Sequence, residues 1–490
     1  MHLYKHPNMV KKGVISLFVS YTISFIAIGF SYIAYSKLLS PQDFGLYSIA
    51  IALGMFGTLV LDGGLKTTII KEADDLTREE QGTLSFLMVG FSFLLLVIII
   101  FLKHPLGYFF PSAQKDFQFL TVFAAVILLS YPFMVIPTAA LERRFLYSKI
   151  GWIESIYFVL ERGSPVFFLW WTQQGIYSFV WGLLLGRVFR VLALNLTYRT
   201  HLQIPTWGRV KRVLHLLREG SWFQLGVGFS QIRDNLHILL VGPLFGKEWV
   251  GYYAWGFQLC LMASQVFVQI SSRVSLPMFA QAENFEKRWQ ACLYQIKLLT
   301  ILTAPVLVTL PMVLPSLDQH FFQGKWQIAI SFIPLLFFRM LAGVALTPLA
   351  ILLLVERGAR SLALFSILFT AIEVAGAIVL LMLIGPKGLA WSCAITVWIG
   401  VYLTFYMLRT ESGKFALITL RSLFQRPSLG ISMGLVSIWL ISFAIWDLTY
   451  FKDFKSLLVM MFLIIILSYS MEPQIQNFIK KKRNRLESVP

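Results

Sequence analysis

Eight ionisable side chains interrupt runs of sequence that are otherwise apolar: Glu154, Glu161, Arg162, Arg233, Asp234, His237, Arg339 and Glu373. A charge in hydrocarbon is costly, so such residues face a bundle interior or a water-filled cavity. Arginine's planar fork binds phosphate or carboxylate oxygens through two parallel bonds, which makes Arg162, Arg233 and Arg339 candidates for holding an anionic ligand. The carboxylates Glu161, Asp234, Glu373 and Glu154 are candidates for coupling to an ion. Glu161 and Glu373 each stand about a dozen residues before the glycine of a tight turn, Gly175 and Gly388, so they occupy similar places in two stretches of chain. A plainer role stays open for every one of them, as an arginine tied to a carboxylate or as a protonated acid bonded between helices. Neighbours in sequence point about 100° apart on a helix, so Arg162 with Glu161 and Arg233 with Asp234 are awkward partners. His237 falls one helical turn after Arg233; a lone histidine is more often a satisfied polar residue than a switch.

The elements that must position these groups are set by composition. The chain has 490 residues, 57% of them hydrophobic and only 13% charged, with a mean hydropathy of +0.71. That is too little polar sequence to cover a water-soluble surface. Apolar runs long enough to cross a hydrocarbon core of about 30 Å recur along it. Fourteen are expected, near 13–39, 44–62, 83–102, 117–140, 150–171, 175–198, 221–242, 249–272, 291–315, 327–355, 361–385, 388–408, 428–447 and 456–472. The reading is an all-α polytopic membrane protein. The first run follows Lys5, Lys11 and Lys12, is too long for a signal-peptide core and lacks an A-x-A-like site, so it is expected to be a retained span. Cys260, Cys292 and Cys393 lie far apart in apolar context, with no spacing that suggests a disulfide frame or a metal site.

A formal charge of +18, from 42 Lys+Arg against 24 Asp+Glu, could point to nucleic acid. The positions of the charges decide otherwise. With the N-terminus inside, 31 of the Lys and Arg fall in inner segments and 8 in outer ones, and the other three are Arg162, Arg233 and Arg339. That division is the positive-inside pattern, so both termini are expected in the cytoplasm and no nucleic-acid partner is expected. The basic stretch from Arg199 to Arg218 is expected to lie on the inner leaflet, against membrane lipids.

The chain also repeats itself. Leu38-Leu39-Ser40-Pro41-Gln42-Asp43-Phe44-Gly45-Leu46-Tyr47 lies on Leu244-Phe245-Gly246-Lys247-Glu248-Trp249-Val250-Gly251-Tyr252-Tyr253, with Gly45-x-Tyr47 on Gly251-x-Tyr253. Both copies follow a span of the same order. Two pseudo-symmetric six-helix lobes are expected, residues 1–198 and 221–410, joined by the basic linker 199–220. Two extra helices and a basic cytoplasmic tail would follow in 411–490. Parallel repeats of this kind belong to transporters that rock one lobe against the other.

The turn Leu39-Ser40-Pro41-Gln42-Asp43-Phe44-Gly45-Leu46-Tyr47 resembles the LSPxDFGxY turn of Wzx-type polysaccharide-unit flippases, and Gly246 to Tyr253 resembles it more loosely. Asp62-Gly63-Gly64-Leu65 and Leu141-Glu142-Arg143-Arg144-Phe145 are similar to that family as well, and the resemblance covers roughly residues 10 to 410. It implies membership of the multidrug/oligosaccharidyl-lipid/polysaccharide exporter superfamily, with alternating access between two six-helix bundles. It further implies a cargo of undecaprenyl-pyrophosphate-linked oligosaccharide moved outward across a bacterial inner membrane for O-antigen, capsule or exopolysaccharide assembly. Arg162, Arg233 and Arg339 would then meet the pyrophosphate, with polymerase and chain-length proteins as candidate partners. No cofactor is implied, and a proton or sodium gradient is a candidate drive.

Two other classes remain in view. A polymerase or glycosyltransferase of the same pathway would usually hold its catalytic groups in a large outer loop. Here the longer connections are the inner ones, and no nucleophile-base set, carboxylate pair or metal cluster is readable in them, so no enzyme is expected. A drug or cation antiporter on the same fold would favour an acidic cavity, against which three intramembrane arginines argue.

Overall fold

The computed structural model describes residues 7–71, 77–103, 111–144, 146–172, 175–199, 204 and 207–408. The expected thirteenth and fourteenth spans and the basic tail with Lys480, Lys481 and Lys482 lie outside the described residues. Among the described residues there is no strand; helices and short turns make up the whole.

Helical segments lie over the first twelve expected runs. They are α1 (Pro7–Leu38), α2 (Pro41–Asp62), the short α3 (Leu65–Lys71), α4 (Arg78–Phe101), α5 (Phe117–Ser130) and α6 (Pro132–Arg143). Then come α7 (Tyr147–Phe158), α8 (Ser164–Thr172), α9 (Ser178–Thr197), α10 (Trp207–Asp234) and the four-residue α11 (Gly242–Phe245). Last are α12 (Lys247–Gln281), α13 (Phe285–Phe321), α14 (Gln327–Ile330), α15 (Ile333–Ile384) and α16 (Gly388–Leu408). By length and apolar content alone, four of the described helices qualify as spans: Pro41–Asp62, Arg78–Phe101, Gly175–Thr197 and Ile333–Leu408. The pair Gln114–Ser130 and Pro132–Arg143, bent by 42° where Pro132 removes a backbone donor, makes a fifth. The chain is thus a multi-pass helical membrane protein. Outward-facing residues such as Phe30, Phe101, Trp170 and Met382 are large, apolar and exposed, as a surface solvated by lipid requires.

Local sequence explains where helices start and stop. Ser40 caps α2, its Oγ accepting from Asp43 N at 3.2 Å, and Pro41 occupies the first turn, where its missing N–H costs nothing. Thr77 and Glu80 form a reciprocal capping box at the head of α4. Gly63 and Gly64, at φ of 50° and 84°, end α2 in the left-handed region that glycine tolerates. Gly358, at φ 79° and ψ 176°, breaks α15 into 333–357 and 359–384, which answer to the expected tenth and eleventh spans.

The chain packs as two units. The first comprises Met1–Trp255 with Ala359–Leu389. Its core includes Leu65, Ile69, Leu84, Met88, Val135, Ile136 and Ala139, and beside it Leu61, Ile99, Phe117, Ala124 and Leu128. Tyr35, Tyr47, Phe123 and Phe179 form an aromatic cluster in the same unit, with ring centroids 4.5–6.2 Å apart. The second comprises Gly256–Gly358 and the chain from Ala390, described to Leu408. Within it Trp289 stacks on Phe285 and meets Phe405 edge-on, and Gly256 admits Ile333 and Leu336.

Candidate functional site

The helical path from Tyr147 to Thr172 widens into a π-turn at Val159–Gly163, which carries Glu161 and Arg162. Such bulges inside a helix turn carbonyls and side chains away from the regular ladder. The Arg162 carbonyl accepts from the Tyr35 hydroxyl, and Arg162 Nη1 donates to Tyr47 Oη at 2.7 Å. Tyr47 is the last residue of the repeated Gly-x-Tyr turn, so that turn fixes the arginine.

Helix α9 comes close to this path because Gly182 and Gly186 lie one turn apart. A Cβ on Gly186 would stand 2.8 Å from Glu161 Cβ, and one on Gly182 would stand 3.0 Å from Ser164 Oγ. Small residues let membrane helices approach backbone to backbone. The approach brings Arg187 beside Glu161 and Arg190 onto Glu154, with which it is bonded. Both guanidinium groups also lie over the Tyr157 ring, at 5.8 and 4.7 Å. Three arginines, Arg162, Arg187 and Arg190, therefore share one half-buried region with Glu154 and Glu161.

Sequence reasoning missed Arg187 and Arg190 by counting them among the inner basic residues. They stand in the middle and last third of α9, with 14% and 20% of their side chains exposed. The signal was present: the two are three residues apart, hence on one face, as are a pair of carboxylates seven apart on the preceding helix.

The second cluster is made by Arg233, near the end of α10, and Glu373 in the 359–384 part of α15. Arg233 Nε lies 3.7 Å from Glu373 Oε2. Its Nη2 donates to Ser230 Oγ at 3.0 Å, and its guanidinium rests 4.5 Å from the Phe369 ring centroid. Thr370 Oγ1 donates to the Phe229 carbonyl at 3.0 Å and holds the two helices together. Glu373 is 1% exposed. Arg233 thus pairs with a carboxylate on a remote helix and not with its neighbour Asp234, which is half-buried where α10 ends. His237 is buried and opens the π-turn His237–Val241.

Arg339 lies in the second unit, 8% exposed, with Nη1 3.6 Å from Cys393 Sγ and its guanidinium 5.1 Å from the Phe257 ring centroid. Cys260, Cys292 and Cys393 are buried and free. Among the described residues, no group of three or more His, Cys, Asp or Glu could hold a metal ion.

Three ion pairs inside the helices are wider than those at the turns, while Arg190 and Glu154 are in direct contact. Glu161 stands 3.9 Å from Arg162 and 4.0 Å from Arg187, and Glu373 stands 3.7 Å from Arg233. These separations exceed a direct hydrogen bond. At helix ends, by contrast, Lys66–Glu142 and Arg288–Glu356 close at 2.9 Å and Lys247–Asp116 at 2.6 Å. The Nε atoms of Arg162, Arg187 and Arg190 and the Nη1 of Arg233 are buried and donate to no protein group among the described residues. The first cluster therefore sets three guanidinium groups against two carboxylates, with three Nε donors left over among the described residues, which suits an anionic oxygen.

A family model described as "Polysaccharide biosynthesis protein" matches residues 35–331. The chain belongs to the polysaccharide biosynthesis protein family. The match takes in both copies of the repeated turn and the whole arginine cluster. The chain is 21% identical, over 64% of its length and 65% of the other, to a Klebsiella pneumoniae protein called "Uncharacterized membrane protein in cps region". It is 22% identical, over 61% of its length and 73% of the other, to a Shigella flexneri protein called "Putative O-antigen transporter". The chain thus spans just under two thirds of the Klebsiella relative's length. Its fold is similar to that of the lipid II flippase MurJ in an inward closed conformation, with a TM-score of 0.73 at 17% identity over 95% of this chain and all of that one.

Proposed function

We propose that this chain is a flippase that moves undecaprenyl-pyrophosphate-linked oligosaccharide outward across the bacterial inner membrane by alternating access, for O-antigen, capsule or exopolysaccharide assembly. The observation that carries the reading is the half-buried cationic cluster: three arginines against two glutamates at Glu154–Arg190, with three wide ion pairs at Glu161 and Glu373. A pyrophosphate cannot enter an apolar interior without compensating charge, and Arg–phosphate bonds are among the stronger ones available. A cargo phosphate would displace Glu161 from Arg162 and Arg187, and Glu373 from Arg233; Arg339, in the second unit, is proposed by itself as a cation for the same class of ligand. The released carboxylates, with Glu154 and Asp234, are where a proton or sodium gradient would couple. The names of the relatives agree with this cargo: one is called "Putative O-antigen transporter" and another "Uncharacterized membrane protein in cps region".

The proposed topology has about fourteen spans, two six-helix lobes at 1–198 and 221–410, and both termini cytoplasmic. In its support, connections assigned to the outer side touch one another, as Lys247 does Asp116 and Tyr253 does Pro386. Those assigned to the inner side do likewise, as Lys66 does Glu142 and Gln81 does Tyr198. The work proposed is transport without bond chemistry; a polymerase and chain-length proteins would take the cargo on the far side.

The test is the sidedness of the lipid-linked pool in cells that lack the protein, read with a membrane-impermeant probe. Complete saccharide units should accumulate facing the cytoplasm. Units that face outward but stay unpolymerised would overturn transport in favour of a polymerase. Unchanged surface polysaccharide with raised drug sensitivity would favour an exporter.

A further inference from the structure

The repeat found in the sequence folds onto itself. Gly45 and Gly251 are equivalent residues of the two copies, as are Pro41 and Lys247, and Gln42 and Glu248. In the structure each glycine lies on the other copy's helix start. A Cβ on Gly45 would overlap the Lys247 carbonyl oxygen and stand 2.9 Å from Gly251 N; one on Gly251 would overlap the Pro41 carbonyl oxygen and stand 3.0 Å from Gly45 N. The contacts are therefore reciprocal, each glycine meeting the partner of the other, as two-fold related elements do when they meet on their axis. Only glycine allows backbones this close, and Cα–H to carbonyl contacts recur at such helix crossings.

Around this crossing side chains pair as well, and Gln42 with Glu248 joins equivalent residues of the two copies. Gln42 Nε2 donates to Glu248 Oε2 at 3.5 Å. Lys247 Nζ reaches Asp116 at 2.6 Å, on the connection before α5. Trp255 Nε1 donates to Ser36 Oγ at 2.7 Å, and the Tyr32 hydroxyl donates to the Trp255 carbonyl. Phe44 packs edge-on against Tyr32. The two turns are thus bound by close backbone contact, ionic and hydrogen-bonded links, and aromatic packing at one end of the unit.

We infer that the two Gly-x-Tyr turns form a latch that shuts the end of the molecule assigned above to the outer face, with Gly45 and Gly251 as its contact points. The latch must part each time cargo leaves at that end. This rests on the transport reading. It adds that the repeated motif itself, Gly45 to Gly251, is the seal. The same turn carries Tyr47, whose hydroxyl accepts from Arg162, so movement of α2 on opening pulls on the arginine that would hold the cargo.

The experiment places Gln42→Cys and Glu248→Cys in the otherwise intact protein, whose own three cysteines are buried. Mild oxidation should join the two positions in membranes, and cells carrying the joined protein should lose at least ten-fold in outward-facing lipid-linked saccharide, with recovery on reduction. Adding Gly45→Ala or Gly251→Ala should cut the yield of disulfide several-fold at unchanged protein abundance. Gly90→Ala, where a Cβ meets nothing within 4 Å, should leave it intact. Full delivery by the joined protein would overturn the latch, as would undiminished disulfide in both alanine variants. The disulfide is read without cargo. A glycine-dependent disulfide in a protein whose removal leaves saccharide units facing outward would uphold the latch and sink only the transport reading.

Discussion

The Arg233–Glu373 pair offers the sharpest test of how charge is stored in this interior. Arg233 Nε and Glu373 Oε2 are 3.7 Å apart, and their side chains are 14% and 1% exposed. At an effective dielectric of about 20, that separation corresponds to roughly 4 kcal/mol of attraction, set against a desolvation cost of similar size. Removing one partner of a buried pair costs about 3–5 kcal/mol, whereas replacing both by apolar groups of like volume is often close to neutral. Arg233→Met should therefore cost about 3–5 kcal/mol, and the Arg233→Met/Glu373→Leu double variant far less than the sum of its singles. Glu373→Gln should cost less than Arg233→Met, because Arg233 keeps its bond to Ser230 and its place over Phe369. The assay is thermal unfolding in detergent at one scan rate, followed by a thiol-reactive dye, since Cys260, Cys292 and Cys393 are buried until the fold opens. A coupling of less than about 0.5 kcal/mol across the four proteins would refute the pairing as an energetic unit. Arg233→Lys separates stability from recognition: the charge stays and the two-pronged fork is lost, so the variant should keep most of the stability and lose most of the transport.

Gly186→Val should force α9 away from Glu161, whose Cβ is 2.8 Å from a Cβ placed there, and so uncouple Arg187 from Glu161. Transport should fall more than ten-fold while the protein still reaches the membrane; full activity would show that the close approach is dispensable. Asp318 accepts from Trp326 N at 3.1 Å in the turn after α13, and burial pushes its carboxyl above the usual range. A raised folded value means that its contribution is present at low pH and fades as pH climbs through that value, so Asp318→Asn should flatten the pH dependence of stability while keeping the bond. Asp318→Ala should cost about 1–3 kcal/mol by removing the acceptor of the Trp326 N–H bond, and equal midpoints for Asn and Ala would remove that bond from the account. Reporter fusions after Lys115 or Lys325 should be periplasmic, and those after Arg143 or Arg360 cytoplasmic; a periplasmic signal at Arg360 would overturn the topology.

Much of the scaffold was legible in sequence because hydropathy and helix punctuation are local. Apolar length foretold the helical segments over the first twelve expected runs. The resemblance to polysaccharide-unit flippases likewise rested on turns, whose residues answer to backbone geometry. The structure then divided the labour inside that motif. Ser40 and Asp43 cap a helix, Phe44 packs on Tyr32, Gly45 admits a backbone, and Tyr47 holds Arg162.

Which charges meet was not legible, because a pair between helices depends on helix rotation and crossing that no local pattern fixes. Sequence listed Glu161, Arg162, Arg233, Asp234, Arg339, Glu373 and Glu154 as separate candidates. Packing joined Arg233 to Glu373, left Asp234 at a helix end, and added Arg187 and Arg190, whose closeness to an inner segment had disguised them as topology signals. The sequence by itself determined a multi-pass helical chain with costly charges in its spans and a repeated Gly-x-Tyr turn. Only the tertiary structure decided which of those charges pair between helices and that the repeat closes on itself, since Glu161 meets Arg187 at Gly186 and the repeat meets itself at Gly45 and Gly251, glycines whose missing side chains let distant helices touch.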